Sequence, residues 1–331
     1  MKRTWLISGI CSAFALALTL TGCTSEQGET APEEQSGEVD YKGKIGVTCM
    51  DLTNPFFKLI GNVMAKEAKK HGYRVVLLSG AMDPAKQNSQ LSDFAAQGYD
   101  AVFLNPVDSK SAGEGVKKLA EAGVPVFTYD VQVTDEEANE LIVSHIGSDN
   151  YQGGRLAGES MMRVTGDQGK VAIIGFPEVT SCIYRVNGFK DYLKENDSNL
   201  EIVTELSGKG NRNDGYTVAT EILQSHPDIA GIFAINDPSG LGAHAAVVKV
   251  GKQDQVTVIA FDASPAGKQA VFEKKLYDSP QQFPRKMAIG TVEAFIKYMN
   301  GEAVAKNIFI PCAHYYYEDS LKDESRIAEQ W

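Results

Sequence analysis

Positive charge is scarce in this chain, and so are the residue types that usually mark metal or redox chemistry. Its 331 residues carry 32 Lys and Arg against 43 Asp and Glu, a formal net charge of −11. Such a balance leaves no basic footprint for a polyanion and excludes nucleic acid as a partner. There are five cysteines and five histidines. Cys49, Cys182 and Cys312 lie far apart, so neither a disulfide framework nor a metal-ligand spacing is present, and no metal or cofactor is expected. Buried free thiols are the expected state, with a single bridge as the alternative. His71, His145, His226, His244 and His314 are scattered and read as structural. A P-loop, a nucleophile elbow and a metal-binding histidine pair are all missing. Beyond Tyr41 no apolar run is long enough to span a bilayer.

What is present begins with Lys2 and Arg3, an apolar stretch over 5–20, and Leu20-Thr21-Gly22-Cys23. This reads as an export signal over 1–22. The approach of small residues to Cys23 resembles the lipobox of bacterial lipoproteins, which implies cleavage before Cys23 and lipidation of its thiol. A retained membrane anchor is the alternative, disfavoured by the short apolar stretch. Residues 24–41 are Glu, Ser, Gly, Gln and Pro with almost no large apolar side chain, the composition of a disordered tether, assigned to 23–42 together with the lipidated cysteine.

The remaining stretch, roughly 290 residues, suits two domains. Strand-like and helix-like patterns alternate through it, which predicts parallel sheets covered by helices, an α/β class. Strands are expected at 44–50, 73–79, 101–104, 124–129, 141–146, 170–174, 202–206, 231–235 and 255–260, with short ones near 307–310 and 313–317. Helices are expected at 55–71, 83–97, 109–122, 151–164 and 285–299. Val75-Val76-Leu77-Leu78 and Ala101-Val102-Phe103-Leu104 are continuous apolar runs, as in strands buried on both faces. The glycine-rich segment Gly153 to Gly158 lacks dinucleotide-fingerprint spacing and is read as permitting close helix packing.

In open α/β sheets ligands bind beyond the carboxyl ends of the strands. Polar residues recur there: Asn54, Asn105, Asp130, Asn236, Asp262 and Gln282, with Arg185 at the head of a helix and Phe56 and Phe57 supplying aromatic faces. Each has a plain local role, since Asn and Asp cap helices and X-Pro pairs make turns. Together they describe a pocket for an uncharged polyhydroxylated molecule, its C–H faces against rings and its hydroxyls on amides and carboxylates.

Asn54-Pro55-Phe56-Phe57, Asn105-Pro106-Val107-Asp108-Ser109, Thr128-Tyr129-Asp130, residues 143–150, His226-Pro227-Asp228, Ala234-Ile235-Asn236-Asp237 and Phe261-Asp262 stand in order at compatible spacings. Over residues 43–320 the chain resembles the periplasmic binding proteins of the ribose-binding type. The resemblance implies a type I fold: two Rossmann-like lobes, 43–148 with 283–310 and 149–282 with 311–331, joined by crossings near Ser148, Gln282 and Ile310. It places ligand contacts on Asn54, Phe56, Phe57, Asn105, Asp130, Arg185, Asn236, Asp262 and Gln282. It also implies a monomeric, exported receptor that delivers a sugar to an ABC permease. A sensory receptor docking on a chemoreceptor or kinase is the alternative, and an exported sugar-acting enzyme using Asp130 and Asp262 a remote one. Two departures bear on the ligand. The family has Arg after the aspartate where this chain has Val131, and a stacking Phe expected near Gly210 is missing. A pyranose, ketose or sugar alcohol is therefore expected instead of ribose, with Gln132, Asn211 or Arg212 as replacement contacts.

Overall fold

The structure is a computed structural model and describes residues 40–324. The signal, Cys23 and most of the tether lie outside the described residues.

Two parallel sheets organise the chain. The first is laid down by β1 (Gly43–Cys49), α1 (Pro55–Lys70), β2 (Tyr73–Ser79), α2 (Pro84–Ala96), β3 (Ala101–Leu104), α3 (Gly113–Glu121), β4 (Val126–Tyr129), α4 (Glu136–Leu141) and β5 (Ile142–Ser148). The second follows with α5 (Asn150–Thr165), β6 (Gly169–Gly175), α6 (Thr180–Glu195), β7 (Leu200–Ser207), α7 (Arg212–Ser225), β8 (Ile229–Ala234), α8 (Asp237–Lys249), β9 (Thr257–Ile259) and α9 (Pro265–Phe272). The chain then returns to the first lobe as α10 (Pro284–Met299) and β10 (Asn307–Ile310), and ends in the short α11 (Tyr317–Ser320). Strand orders are β10-β5-β4-β3-β1-β2 and β7-β6-β8-β9, parallel throughout. Strand order reverses between β1 and β3 in one sheet and between β6 and β8 in the other. Both lobes therefore open a crevice where such folds take ligands.

Local chemistry explains the elements. Asn54 caps α1, its side chain accepting from the Phe56 amide, while Pro55 takes the first turn and Lys69 and Lys70 the last. Phe103, Phe127 and Phe295 pack edge to face with centroids 5.7–6.0 Å apart, which fixes the returning α10 on the first sheet.

Four expectations are corrected. Asp108 turns the chain by accepting from the Lys110 and Ser111 amides, so α3 starts at Gly113 and not at 109. Strand β4 starts at Val126, just after Pro125, and not at 124. Asp135 caps the additional helix α4 ahead of β5. Residues 313–317 form no strand: only Ala313 bridges, to Gln281, because the Asp278 carboxylate takes the Tyr315 amide and contacts His314 Nδ1. Tyr316 stands at the N-cap of α11 and Tyr317 begins that helix.

Helices α5 and α6 meet through glycine. A methyl at Gly154 would overlap the backbone carbonyl of Arg185, and one at Gly188 the carbonyl of Tyr151. Gly154→Ala should therefore cost about 1–3 kcal/mol, an overpacking penalty read as a lower midpoint in chemical denaturation. An unchanged midpoint would mean that this contact is loose.

Candidate functional site

Between the lobes lies a cavity of about 570 Å³, lined by strand-end residues of both sheets. The first lobe contributes Asn54, Phe56, Phe57 and Asp130, and the second Arg185, Asn236, Asp262 and Gln282. Asn54 Oδ1 is engaged in capping (3.0 Å from the Phe56 amide), so its NH₂ is the group left for the cavity. The Phe56 and Phe57 rings stand perpendicular, centroids 5.3 Å apart, giving the cavity a rigid apolar corner.

Asp130 ends β4 with a left-handed backbone, φ 61°, after its amide donates to the Ile146 carbonyl. That conformation swings the carboxylate away from the strand line. Its Oδ2 accepts from Asn105 Nδ2 at 3.1 Å, whereas its buried Oδ1 has no partner in the protein. Burial pushes this carboxyl up to about 7, opposed by the Arg185 guanidinium. Asp262, also left-handed at φ 107°, accepts on Oδ1 from Gln282 Nε2 (2.7 Å) and Arg185 Nη1 (3.2 Å). Its carboxyl is raised to about 6 by burial, again against the pull of Arg185.

Arg185 is held on three sides. Its Nε donates to Asn150 Oδ1 at 2.8 Å, its Nη1 to the Ile235 carbonyl at 2.7 Å, and its plane lies 4.0 Å from the centre of the Phe261 ring. It sits in the second turn of α6 and not at a helix head. Gln282 donates to Asp262, and its Oε1 is buried without a protein partner. Asn236 caps α8, accepting from the Ser239 amide (3.0 Å) and donating to the Gly210 carbonyl (2.8 Å). The chemistry is that of a receptor for neutral hydroxyls: two buried acceptors without protein partners, Asp130 Oδ1 and Gln282 Oε1, belong to residues that line a cavity with largely apolar walls.

Residues 45–303 match the model of the periplasmic binding protein domain family. The chain is 33% identical to the ribose import binding protein of Bacillus subtilis over 293 residues, 88% of this chain and 93% of that one. It is a periplasmic binding protein of the ribose-binding type. Identity to the ribose import binding protein of Escherichia coli is 34% over 264 residues, 80% of this chain and 87% of the relative. Among solved structures, the myo-inositol-binding protein of Caulobacter superposes with a TM-score of 0.79 at 28% identity, covering 87% of this chain and 97% of that one. Membership makes this an extracytoplasmic solute-binding protein, not an enzyme.

One residue expected to touch ligand does not line the binding protein's cavity. Asn105 is fully buried behind Asp130, with Oδ1 accepting from the Met50 amide (3.1 Å) and Nδ2 donating to the Tyr129 carbonyl (3.3 Å) as well as to Asp130. It aims the carboxylate. Asn105→Ala should leave those groups unpaired, lower stability by about 1–3 kcal/mol and weaken binding less than a change at Asp130 itself. Denaturation and calorimetry would check this, and an affinity loss as large as that of an Asp130 variant would overturn the indirect role.

Gln132 also lies away from the cavity, its Nε2 donating to Asn307 Oδ1 at 3.2 Å. Asn211 and Arg212 do line the cavity. The sequence reading missed the apolar wall made by Phe176, Val179 and Cys182. Phe176 directly follows β6 and lies against Gly210, so this binding protein has an aromatic ring beside the glycine where a stacking Phe was missed. Reading apolar as well as polar residues at strand ends would have found it.

Proposed function

We propose that this binding protein captures a monosaccharide or sugar alcohol of the pentose or hexose class, other than ribose, between its lobes and delivers it to an ABC permease. The observation that carries the reading is the pair of buried acceptors without protein partners, Asp130 Oδ1 and Gln282 Oε1, beside the Phe56, Phe57 and Phe176 rings. Leaving such atoms unpaired costs about 1–3 kcal/mol each, and ligand hydroxyls would remove that cost while ring faces cover the C–H surface. Arg185 adds donors for ring or hydroxyl oxygens.

The ribose relatives and the myo-inositol-bound structure support a frame that serves both a pentose and a cyclic polyol. Val131 is buried and does not line the cavity, and the nearby ring comes from Phe176, so this pocket differs in shape and charge from the family pattern. In this proposal, sugar favours lobe closure because contacts from both lobes are made together. The signal over 1–22, lipid on Cys23 and the tether to residue 42 would hold a monomer at the outer face of a membrane, close to its permease.

A thermal-shift panel of pentoses, hexoses, ketoses and polyols tests the reading. A cognate ligand at about 100 times Kd should raise Tm by roughly 5–10 °C, with ribose giving less. Silence across the panel would sink the sugar assignment, and a ribose-selective shift would sink its refinement.

A further inference from the structure

A second crevice, of about 330 Å³, adjoins the ligand cavity, and Asp130 and Ser181 line both. Around it stand three large aromatic side chains with unusual exposure: Tyr151 at 37%, Tyr184 at 40% and Phe309 at 50%. Exposed aromatics gathered on one polar hollow mark binding surfaces. They come from the start of α5, the second turn of α6 and β10, so both lobes and the crossings build the wall.

The polar groups are those of a neutral-ligand site. Ser148 is 3% exposed and lines the crevice, yet its Oγ finds no hydrogen-bond partner stronger than the Cys312 thiol, a weak donor. His145 also lines it and is held neutral by burial, with Nδ1 3.0 Å from Thr128 Oγ1. Among the described residues no lysine or arginine lines the hollow, whereas Asp130 and Asp149 do, which disfavours any anion. Aromatic faces beside hydroxyls, amides and carboxylate oxygens suit one more polyhydroxylated ring.

We propose that this crevice is a second carbohydrate subsite, taking a hexopyranosyl or cyclic polyol unit next to the one in the main cavity. The unit is either the linked residue of a disaccharide or a second free monosaccharide. The inference rests on the sugar reading of the main cavity.

Isothermal titration of the full-length chain separates the cases. The probes are the monosaccharides and myo-inositol of the panel, together with cellobiose, maltose and lactose. A disaccharide binding once, at least about tenfold tighter than its monosaccharide, identifies the linked form; two monosaccharide equivalents per chain identify the free form. In either case Tyr184→Ala and Phe309→Ala, which leave the main cavity untouched, should abolish the gain or the second equivalent and keep the first within about twofold. One monosaccharide equivalent with no disaccharide gain, or a gain that both variants retain, overturns the subsite while leaving the main reading intact. Absence of all sugar binding overturns both.

Discussion

Asp130→Asn should abolish most ligand affinity while leaving the unliganded protein as stable as before, or more so. The fold tolerates the change because Asn accepts the left-handed backbone that Asp130 adopts (φ 61°), and its carbonyl can still accept from Asn105 Nδ2. Affinity does not, because the carboxylate that ligand hydroxyls draw into its ionised form is replaced by a neutral amide. Hydrogen bonds to a charged partner are worth about 1.5–3 kcal/mol, so two hydroxyls on this carboxylate predict a loss on the order of 100-fold.

The stability change has a definite sign. Burial raises the folded-state carboxyl to about 7, above its unfolded value. The folded protein therefore holds more protons between the two, and the stability associated with a protonated Asp130 is lost as pH rises through about 7. Asparagine removes that loss, so the variant's advantage should be larger near pH 8 than near pH 5. Hydroxyl donors favour the ionised form, so wild-type affinity should fall as pH drops below about 7, and the variant should show less of this dependence. Calorimetric titration and denaturation at both pH values read all three effects. Retained affinity in the variant would remove Asp130 from the binding site.

The organisation of the site was legible because the physics that writes it is local. Polar residues immediately after strands led to Asn54, Asp130, Asn236, Asp262 and Gln282, and the structure brings these five to one cavity. Direction was not legible. Asn105 has the same strand-end signature as Asn236, but its amide turns inward to Met50 and Tyr129, a consequence of packing between neighbouring strands that no one-dimensional pattern carries. The apolar wall was hidden for the opposite reason. Phe176 and Val179 look like ordinary core of the second lobe, and only the approach of the first lobe makes them cavity lining. In the fold, continuous apolar runs marked both β2 and β3, but only β3 is buried on both faces; β2 is the edge strand and its run Val75 to Leu78 is half-buried. The aromatic propensity of 313–317 misled, because the Asp278 carboxylate takes the Tyr315 amide and the His314 ring in place of a ladder.

Arg185→Met should destabilise the protein severely, and more so at high pH. The guanidinium is 4% exposed and lies among buried carboxylates: Asp262 at 3.2 Å, Asp130 across the cavity and, behind Asp262, Asp237. Asp237 is fully buried, accepts from the Ser264 amide and the Ser279 hydroxyl, and is pushed up to about 7 by burial and then by the Asp262 charge. Arg185 acts in the other direction on both Asp130 and Asp262. Methionine preserves contact with the Phe261 ring but leaves Asn150 Oδ1, the Ile235 carbonyl and Asp262 without this donor. Breaking a buried ion pair from one side costs about 3–5 kcal/mol. With the cation gone, the carboxyls move further above their unfolded values. Stability in the variant is then fully present only where they are protonated, and declines as pH rises through and beyond about 6–7. The deficit against wild type should therefore be smaller near pH 5 than near pH 8 in guanidinium or urea titrations. A deficit independent of pH would mean that Arg185 acts by packing alone. A second substitution, Asp262→Asn in the Arg185→Met background, should recover part of the loss at high pH, because it removes the buried charge that the first change stranded.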